Sequence, residues 1–180
     1  ARLMQATQGR FAEEYNRRRK RQGAFWSDRY HATMIDSGEH LWACLRYIDL
    51  NMVRAGVVRH PREWDWTAWP ELTGERKRYR LVDRTALLDR LEGIGWEACK
   101  QSYREMVDDA VGRAVLLQRD RQWTESIAVG RATFVTSVEA ALEQEDRRRR
   151  MDRQETQCGT WILREQCPRL GLYAENEPNY

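Results

Sequence analysis

Apolar residues recur at three- and four-residue spacing through most of this chain, and that period restricts it to a mainly helical architecture. Leu3, Met4, Thr7, Phe11 and Tyr15 make one such stripe, which predicts a helix over residues 1–21. Gly23 breaks it. Residues 24–36 are richer in aromatic and β-branched types, and Arg29-Tyr30-His31-Ala32-Thr33-Met34-Ile35 suggests a strand. Asp36 or Ser37 is placed to cap a second helix that runs to about Met52, with Gly56 suited to its stop. Leu41, Leu45, Ile48 and Met52 form one apolar stripe along that helix. Cys44, Tyr47 and Asn51 form a second stripe on a different face.

Further on, His60-Pro61 and Trp69-Pro70 with Gly74 mark turns. From about residue 83 the helical period returns, first in Leu87, Leu88 and Leu91. It continues in Trp96, Cys99, Tyr103, Met106 and Val107, then in Phe134, Val138, Ala141 and Leu142. Residues 143–157 are almost wholly polar, and Arg147–Arg150 after Glu143, Glu145 and Asp146 reads as a self-neutralising exposed helix. The end of the chain, with Pro168 and Asn176-Glu177-Pro178-Asn179, reads as a loose tail. The division expected is 1–72, 73–157 as a helical extension, and 158–180 as the tail. Because residue 1 falls inside a helical pattern with no cap before it, the chain is expected to be a fragment.

Charge is distributed unevenly. Residues 1–62 hold twelve Lys+Arg against six Asp+Glu, whereas the remainder is slightly acidic. Of the 31 basic residues 28 are arginine, whose planar donor fork suits phosphate. The run Arg17-Arg18-Arg19-Lys20-Arg21, with Arg29, is therefore a candidate for tracking a nucleic-acid backbone. No apolar run approaches the roughly 18 residues that a membrane span needs. Cys44, Cys99, Cys158 and Cys167 form no CxxC pair, which points to small core hydrophobes in a reducing cytoplasm. Among the aromatics, Trp26, Trp42, Trp64, Trp66 and Trp69 are core or clamp residues first, with a minority available to stack on bases. His31 and His40 read as ordinary partly buried histidines.

Tyr47 and Asn51 are four residues apart, one helical turn on a single face. A phenol there can attack phosphorus, and a carboxamide oxygen can ligate a hard cation. Taken alone, that pair is most often a half-buried ring and a solvated amide. Its surroundings add more. The chain carries Trp26-Ser27-Asp28-Arg29-Tyr30-His31-Ala32, then Arg46-Tyr47-Ile48-Asp49-Leu50-Asn51-Met52-Val53-Arg54-Ala55-Gly56-Val57-Val58, then His60-Pro61-Arg62-Glu63-Trp64-Asp65-Trp66-Thr67-Ala68-Trp69. This ordered series resembles the single-tyrosine transposases of the His-hydrophobic-His class, particularly the REP-associated tyrosine transposases. Tyr15-Asn16-Arg17-Arg18 and Gly23-x-Phe25-Trp26 match the family's lead-in, and the likeness is dense over residues 11–72. Later, Trp123, Ala128-Val129-Gly130 and Phe134-Val135 echo a C-terminal extension seen in some members.

The resemblance implies an α+β fold, in which residues 1–72 are the back part of an antiparallel-sheet transposase domain and the rest a mainly helical extension. It implies metal-dependent cleavage and rejoining of single-stranded or hairpin DNA through a 5′-phosphotyrosine. Tyr47 matches the family's nucleophile. Asn51 matches a residue that completes a Mg²⁺ or Mn²⁺ site, whose main ligands are a His-x-His pair. This chain contains no His-x-His, and Met52 stands where the family usually has Pro. As it stands, the chain is thus expected to bind DNA without cleaving it, in the cytoplasm at the nucleoid, with a homodimer compatible with the family. The alternative carried forward is a noncatalytic nucleic-acid-binding protein derived from a transposase. A plain helical interaction module is a third reading, favoured only if the basic third binds no DNA.

Overall fold

A computed structural model describes residues 2–27, 30–76, 80–113, 118–146, 150–156 and 159–166. The expectations placed on Arg29, Arg147–Arg149, Cys158, Cys167 and the last residues of the chain lie outside the described residues. The chain divides into two compact units, Ala1–Ala32 and Thr33–Tyr180.

The first unit is one long helix and a returning segment. Helix α1 spans Arg2–Arg19, close to the predicted range, and has no fully buried residue. It ends where Lys20 turns to φ 49° and Arg21 donates its N–H to the Asn16 carbonyl (2.9 Å). Gly23, at φ 92°, then reverses the chain, and the Asn16 amide donates to its carbonyl at 3.1 Å. An L-residue with a side chain would be strained at that φ.

The second unit is a mixed α/β structure. Its described elements are β1 (Met34–Ile35), α2 (Glu39–Asp49), α3 (Asn51–Arg54), a 3₁₀ turn (Pro61–Glu63), α4 (Trp69–Leu72) and α5 (Arg84–Arg90). After these come α6 (Trp96–Val111), α7 (Gln122–Glu125), β2 (Ala128–Gly130), α8 (Ala132–Glu145), β3 (Met151–Glu155) and β4 (Trp161–Glu165). The four strands lie in the order β1-β2-β4-β3. β1 pairs with β2 in parallel, Ile35 opposite Val129. β2 and β3 both pair with β4 antiparallel, with Val129 opposite Ile162 and Arg153 opposite Leu163. The sheet is therefore mixed. Parallel pairing of β1 and β2 is open to this chain because a long helical connection joins them.

Among the described residues of this unit, two apolar clusters form its core. The larger gathers Leu50, Trp69, Leu72, Tyr103, Val107 and Ala110, flanked by Trp42, Leu45, Val53 and Trp96. It draws on both sides of residue 72. Helix α6 delivers Cys99, Tyr103, Val107 and Ala110 from one face, the period expected from the sequence. Burying a Leu or Val side chain contributes roughly 1.5–3 kcal/mol, and the stripe acts as the spine of the unit. The smaller cluster seats Val135 and Val138 of α8 on Ala128 and Leu163 of the sheet.

Several expectations are corrected. Of the strand predicted over 29–35, the structure forms Met34–Ile35 as strand and leaves residues 30–33 outside any strand. Asp36 does not cap α2. The cap position is Gly38, and the Asp36 carboxylate instead receives the Arg131 backbone N–H (3.1 Å), Nε (2.7 Å) and Nη2 (3.0 Å). The segment 73–157, read as helical, contains β2 and β3, and the supposed tail supplies β4. β3 is an edge strand of sequence Met-Asp-Arg-Gln-Glu, exposed along nearly its whole length. Its polarity hides it from hydrophobic periodicity and guards a sheet edge against stray pairing. The apolar stripe expected along this helix is buried only in part: Leu41, Leu45 and Met52 are half-buried, and Leu45 flanks the larger cluster. Ile48 is 52% exposed, while Asp49 and Leu50 are buried.

Candidate functional site around Tyr47

Asp49 determines how the tyrosine helix sits. Its carboxylate accepts the Tyr103 hydroxyl at 2.6 Å and the Ala68 backbone N–H at 2.9 Å. A hydrophobicity scale counts this position as polar, yet the two bonds let it occupy the core face beside Leu45 and Leu50. Burial raises the Asp49 carboxyl above its ordinary range against the pull of those donors, and burial together with the nearby carboxylate raises the Tyr103 phenol. Each residue turns a helix by about 100°. Tyr47, two positions before Asp49, consequently faces away from this core.

Tyr47 is half-buried there, with the Trp123 ring 6.0 Å away at 36°. Together with Ala43, Arg46, Leu50, Gln118 and Asp120 they line a cavity of about 70 Å³. The Asp120 carboxylate is held by the Gln122 backbone N–H (3.0 Å) and amide (2.5 Å).

Between Tyr47 and Asn51 the helix pauses at Leu50 (φ −76°, ψ −1°) and resumes as α3, so the two residues stand on successive short helices rather than on one. α3 closes with the Val57 N–H on the Met52 carbonyl and the Gly56 N–H on the Val53 carbonyl, both 3.0 Å, with Gly56 at φ 69°. This is the glycine stop expected from the sequence.

One side chain bridges the pair. The Arg54 guanidinium carbon lies 3.8 Å from the centroid of the Tyr47 ring. Its Nη2 donates to the Tyr47 carbonyl at 2.8 Å and also to Asn51 Oδ1. Its Nη1 is buried and has no acceptor among the described residues. Burial pulls the Arg54 guanidinium down from its ordinary value, opposed by Tyr47 and Asp120, and an arginine stays charged through such a shift. Tyr47 thus sits under a cation fixed by hydrogen bonds to its own carbonyl and to Asn51. Neither Arg54 nor Trp123 stood out as a site residue in the sequence, although both lie within the family-like segments.

The Asn51 carboxamide is exposed, but its oxygen is committed to Arg54. A cation beside that oxygen disfavours a second one. Among the described residues no group of three or more His, Cys, Asp or Glu could hold a metal ion. The described side chains on their own therefore do not fit a divalent metal.

The histidines are dispersed. His40 is buried in the first turn of α2, with Nε2 3.4 Å from Thr160 Oγ1. His60 is buried, its Nδ1 accepting the Arg62 N–H (3.0 Å) and its Nε2 2.8 Å from Asp108; it braces the 3₁₀ turn against α6. Trp69 lies in the core beside Tyr103, Trp42 flanks it, Trp64 is half-buried and Trp66 is exposed. Cys44 and Cys99 are free thiols, each raised above its usual value by burial. The predicted DNA-contacting residues Arg17, Arg18, Arg19, Lys20 and Arg21 are all exposed in the first unit.

No helix among the described residues is long and apolar enough to cross a membrane. Comparison with protein-family models, with curated proteins and with solved structures finds no match to this chain.

Proposed function

We propose that this protein acts on single-stranded DNA in the manner of a single-tyrosine transposase, with Tyr47 as the nucleophile. The observation that carries the reading is the Arg54 guanidinium held over the Tyr47 ring, 3.8 Å from its centroid. A guanidinium is an apt partner for a phosphodiester oxygen, and its charge would help to hold phosphorus beside the phenol. Arg46 on the cavity wall adds a second positive charge. The attacking Tyr47 oxygen would form a bond to phosphorus as the bond to the departing 3′-oxygen breaks. The phenol loses its proton to water, and the 3′-oxygen gains one. Preorganised cations offset the charge that builds on the phosphate oxygens. Any Mg²⁺ or Mn²⁺ would require ligands beyond the described residues, and no step is routed through it. The basic run Arg17–Arg21 supports non-specific attraction of the strand, and a location at the nucleoid belongs to the same proposal.

The second reading is a noncatalytic nucleic-acid-binding protein derived from such an enzyme. It is favoured by the commitment of the Asn51 oxygen to Arg54. Labelled single-stranded DNA incubated with the protein and Mn²⁺, then run on a denaturing gel, separates the two. A covalent adduct lost in Tyr47→Phe supports the nucleophile. An adduct that survives Tyr47→Phe removes Tyr47 from that role, and binding with no adduct at all, which the missing His-x-His pair also predicts, leaves the second reading standing.

A further inference from the structure

The first unit carries an aromatic surface that the chemistry of Tyr47 does not use. Phe11 and Tyr15, one turn apart on α1, meet Phe25 and Trp26 of the returning segment. Phe25 meets Phe11 (5.2 Å between centroids), Tyr15 (4.8 Å) and Trp26 (4.7 Å) in T-shaped contacts, and Phe11 also stacks on Tyr15 at 6.1 Å and tilts against Trp26 at 5.8 Å. The Trp26 indole N–H donates to the Gln8 carbonyl at 3.2 Å, which fixes its ring. The cluster is open. Phe11 is 51% exposed, Trp26 44% and Tyr15 37%. An aromatic cluster ordinarily hides its rings, because each is worth a large area of burial.

The same unit ends α1 with five consecutive cations. Arg17 and Arg18 pair with Glu14 on the helix surface, contacts that are weak in water. Arg21 donates to the Ala24 carbonyl and reaches over the Phe25 ring at 5.8 Å. Arg19 and Lys20 have no ion-pair partner among the described residues. Exposed ring faces beside unneutralised cations are what unpaired bases and their phosphates require together.

We infer that Phe11, Trp26 and Tyr15, with the adjoining Arg17–Arg21 run, form a stacking platform for single-stranded nucleic acid. A second copy of the chain is a poorer occupant, since pairing this face with itself would set five cations against five. An acidic peptide would answer the charge but leave the ring faces without a reason. Duplex DNA would answer the charge only, because its bases already stack on one another. The inference shares the ligand class of the proposed function and deepens it, but needs neither Tyr47 nor cleavage.

The test is fluorescence anisotropy of the full chain with a labelled oligo(dT) and with a duplex of equal length. Far-UV circular dichroism confirms that each variant keeps α1. Phe11→Leu and Trp26→Leu, which keep apolar bulk but lose the ring face, should each weaken oligo(dT) binding roughly 10-fold. Duplex binding and the salt slope should change little. Arg19→Gln with Lys20→Gln should weaken both ligands and flatten the salt slope. Ultraviolet crosslinking to bromouracil-substituted DNA should label a peptide within residues 8–27, which keeps the inference testable if a leucine variant misfolds. Oligo(dT) affinity within twofold of the parent in both leucine variants would overturn the platform. Crosslinks confined to other segments, or a dimer in sedimentation that Phe11→Leu abolishes, would overturn it as well. Adduct loss in Tyr47→Phe and loss of oligo(dT) affinity in Phe11→Leu or Trp26→Leu are read in separate assays, so failure of the nucleophile and failure of the platform are distinguishable.

Discussion

The Tyr103 hydroxyl of α6 donates to the Asp49 carboxylate of α2 at 2.6 Å, joining residues 54 positions apart inside the larger core. Through it the helix bearing Tyr47 is oriented by a buried polar bond as well as by apolar packing. Tyr103→Phe leaves the ring volume and removes one donor from a buried carboxyl, and should cost about 1–3 kcal/mol in urea denaturation. Asp49→Ala should cost more than Asp49→Asn, whose amide oxygen can still accept the hydroxyl.

The raised Asp49 carboxyl has a signed consequence for pH. A carboxyl whose folded-state value lies above its unfolded value binds its proton more tightly when folded, so its contribution falls as pH rises through that window. Asp49→Asn should remove this downward slope above about pH 4. A denaturation midpoint with the same pH dependence in variant and parent would refute it.

Asp36 behaves oppositely. The Arg131 guanidinium and backbone N–H groups hold its carboxyl well below the usual carboxylate range. That stabilisation is complete above the unfolded value and is lost as pH falls below it. Asp36→Asn should therefore destabilise the protein at pH 6 and make less difference as the solution is acidified to about pH 2–3. Midpoints of urea unfolding across that range check it.

Gly130 of β2 is hemmed in by Asp36 and by Phe134 of α8. A Cβ there would lie 2.6 Å from Phe134 Cδ1 and closer still to Asp36 Cβ. Gly130→Ala must push β1 or α8 aside and should cost roughly 1–3 kcal/mol, read as a lowered urea midpoint with a proportionate loss of the Asp36–Arg131 ion pair.

Arg54 offers a kinetic prediction. Arg54→Ala should slow adduct formation by about 100-fold if its cation stabilises the phosphate. Arg54→Lys should recover only part of the rate, because an ammonium cannot span the Tyr47 carbonyl, Asn51 and a phosphate oxygen at once. Anisotropy with the same DNA should move far less than the rate in either variant. Equal losses in binding and rate would make Arg54 a simple anchoring charge.

For Asn51 the outcome decides between two partners of one oxygen. Asn51→Ala should free the Arg54 guanidinium. If Asn51 also assists a metal, the Mg²⁺ or Mn²⁺ concentration needed for cleavage rises with binding unchanged; a metal titration that does not move assigns Asn51 to holding Arg54.

The helices were legible because their buried faces repeat at a period that does not depend on what covers them. Cys99, Tyr103 and Val107 of α6, and the glycine stop at Gly56, could be read directly from spacing. The face of α2 could not. An Asp looks like a surface residue until a tyrosine hydroxyl and a backbone N–H more than fifteen residues away are brought to it, and Ile48 looks like core until Asp49 takes that side. The sheet was largely invisible for a related reason. β1 is two residues long, and β3 is an exposed edge of charged side chains, so neither has a hydrophobic alternation to read.

The sequence by itself placed Tyr47 and Asn51 four residues apart in a helical stretch, since helical periodicity is local and needs no partner, but not the pause at Leu50 between them. It also placed five cations in a row at the end of α1. Only the tertiary structure decided that Arg54 would cover Tyr47 and take the Asn51 oxygen, that Trp123 would form the far wall, and that Phe25 would gather Phe11, Tyr15 and Trp26 into one open surface. Those contacts depend on chain reversals and on rotamers selected by neighbouring packing, and a one-dimensional pattern carries neither.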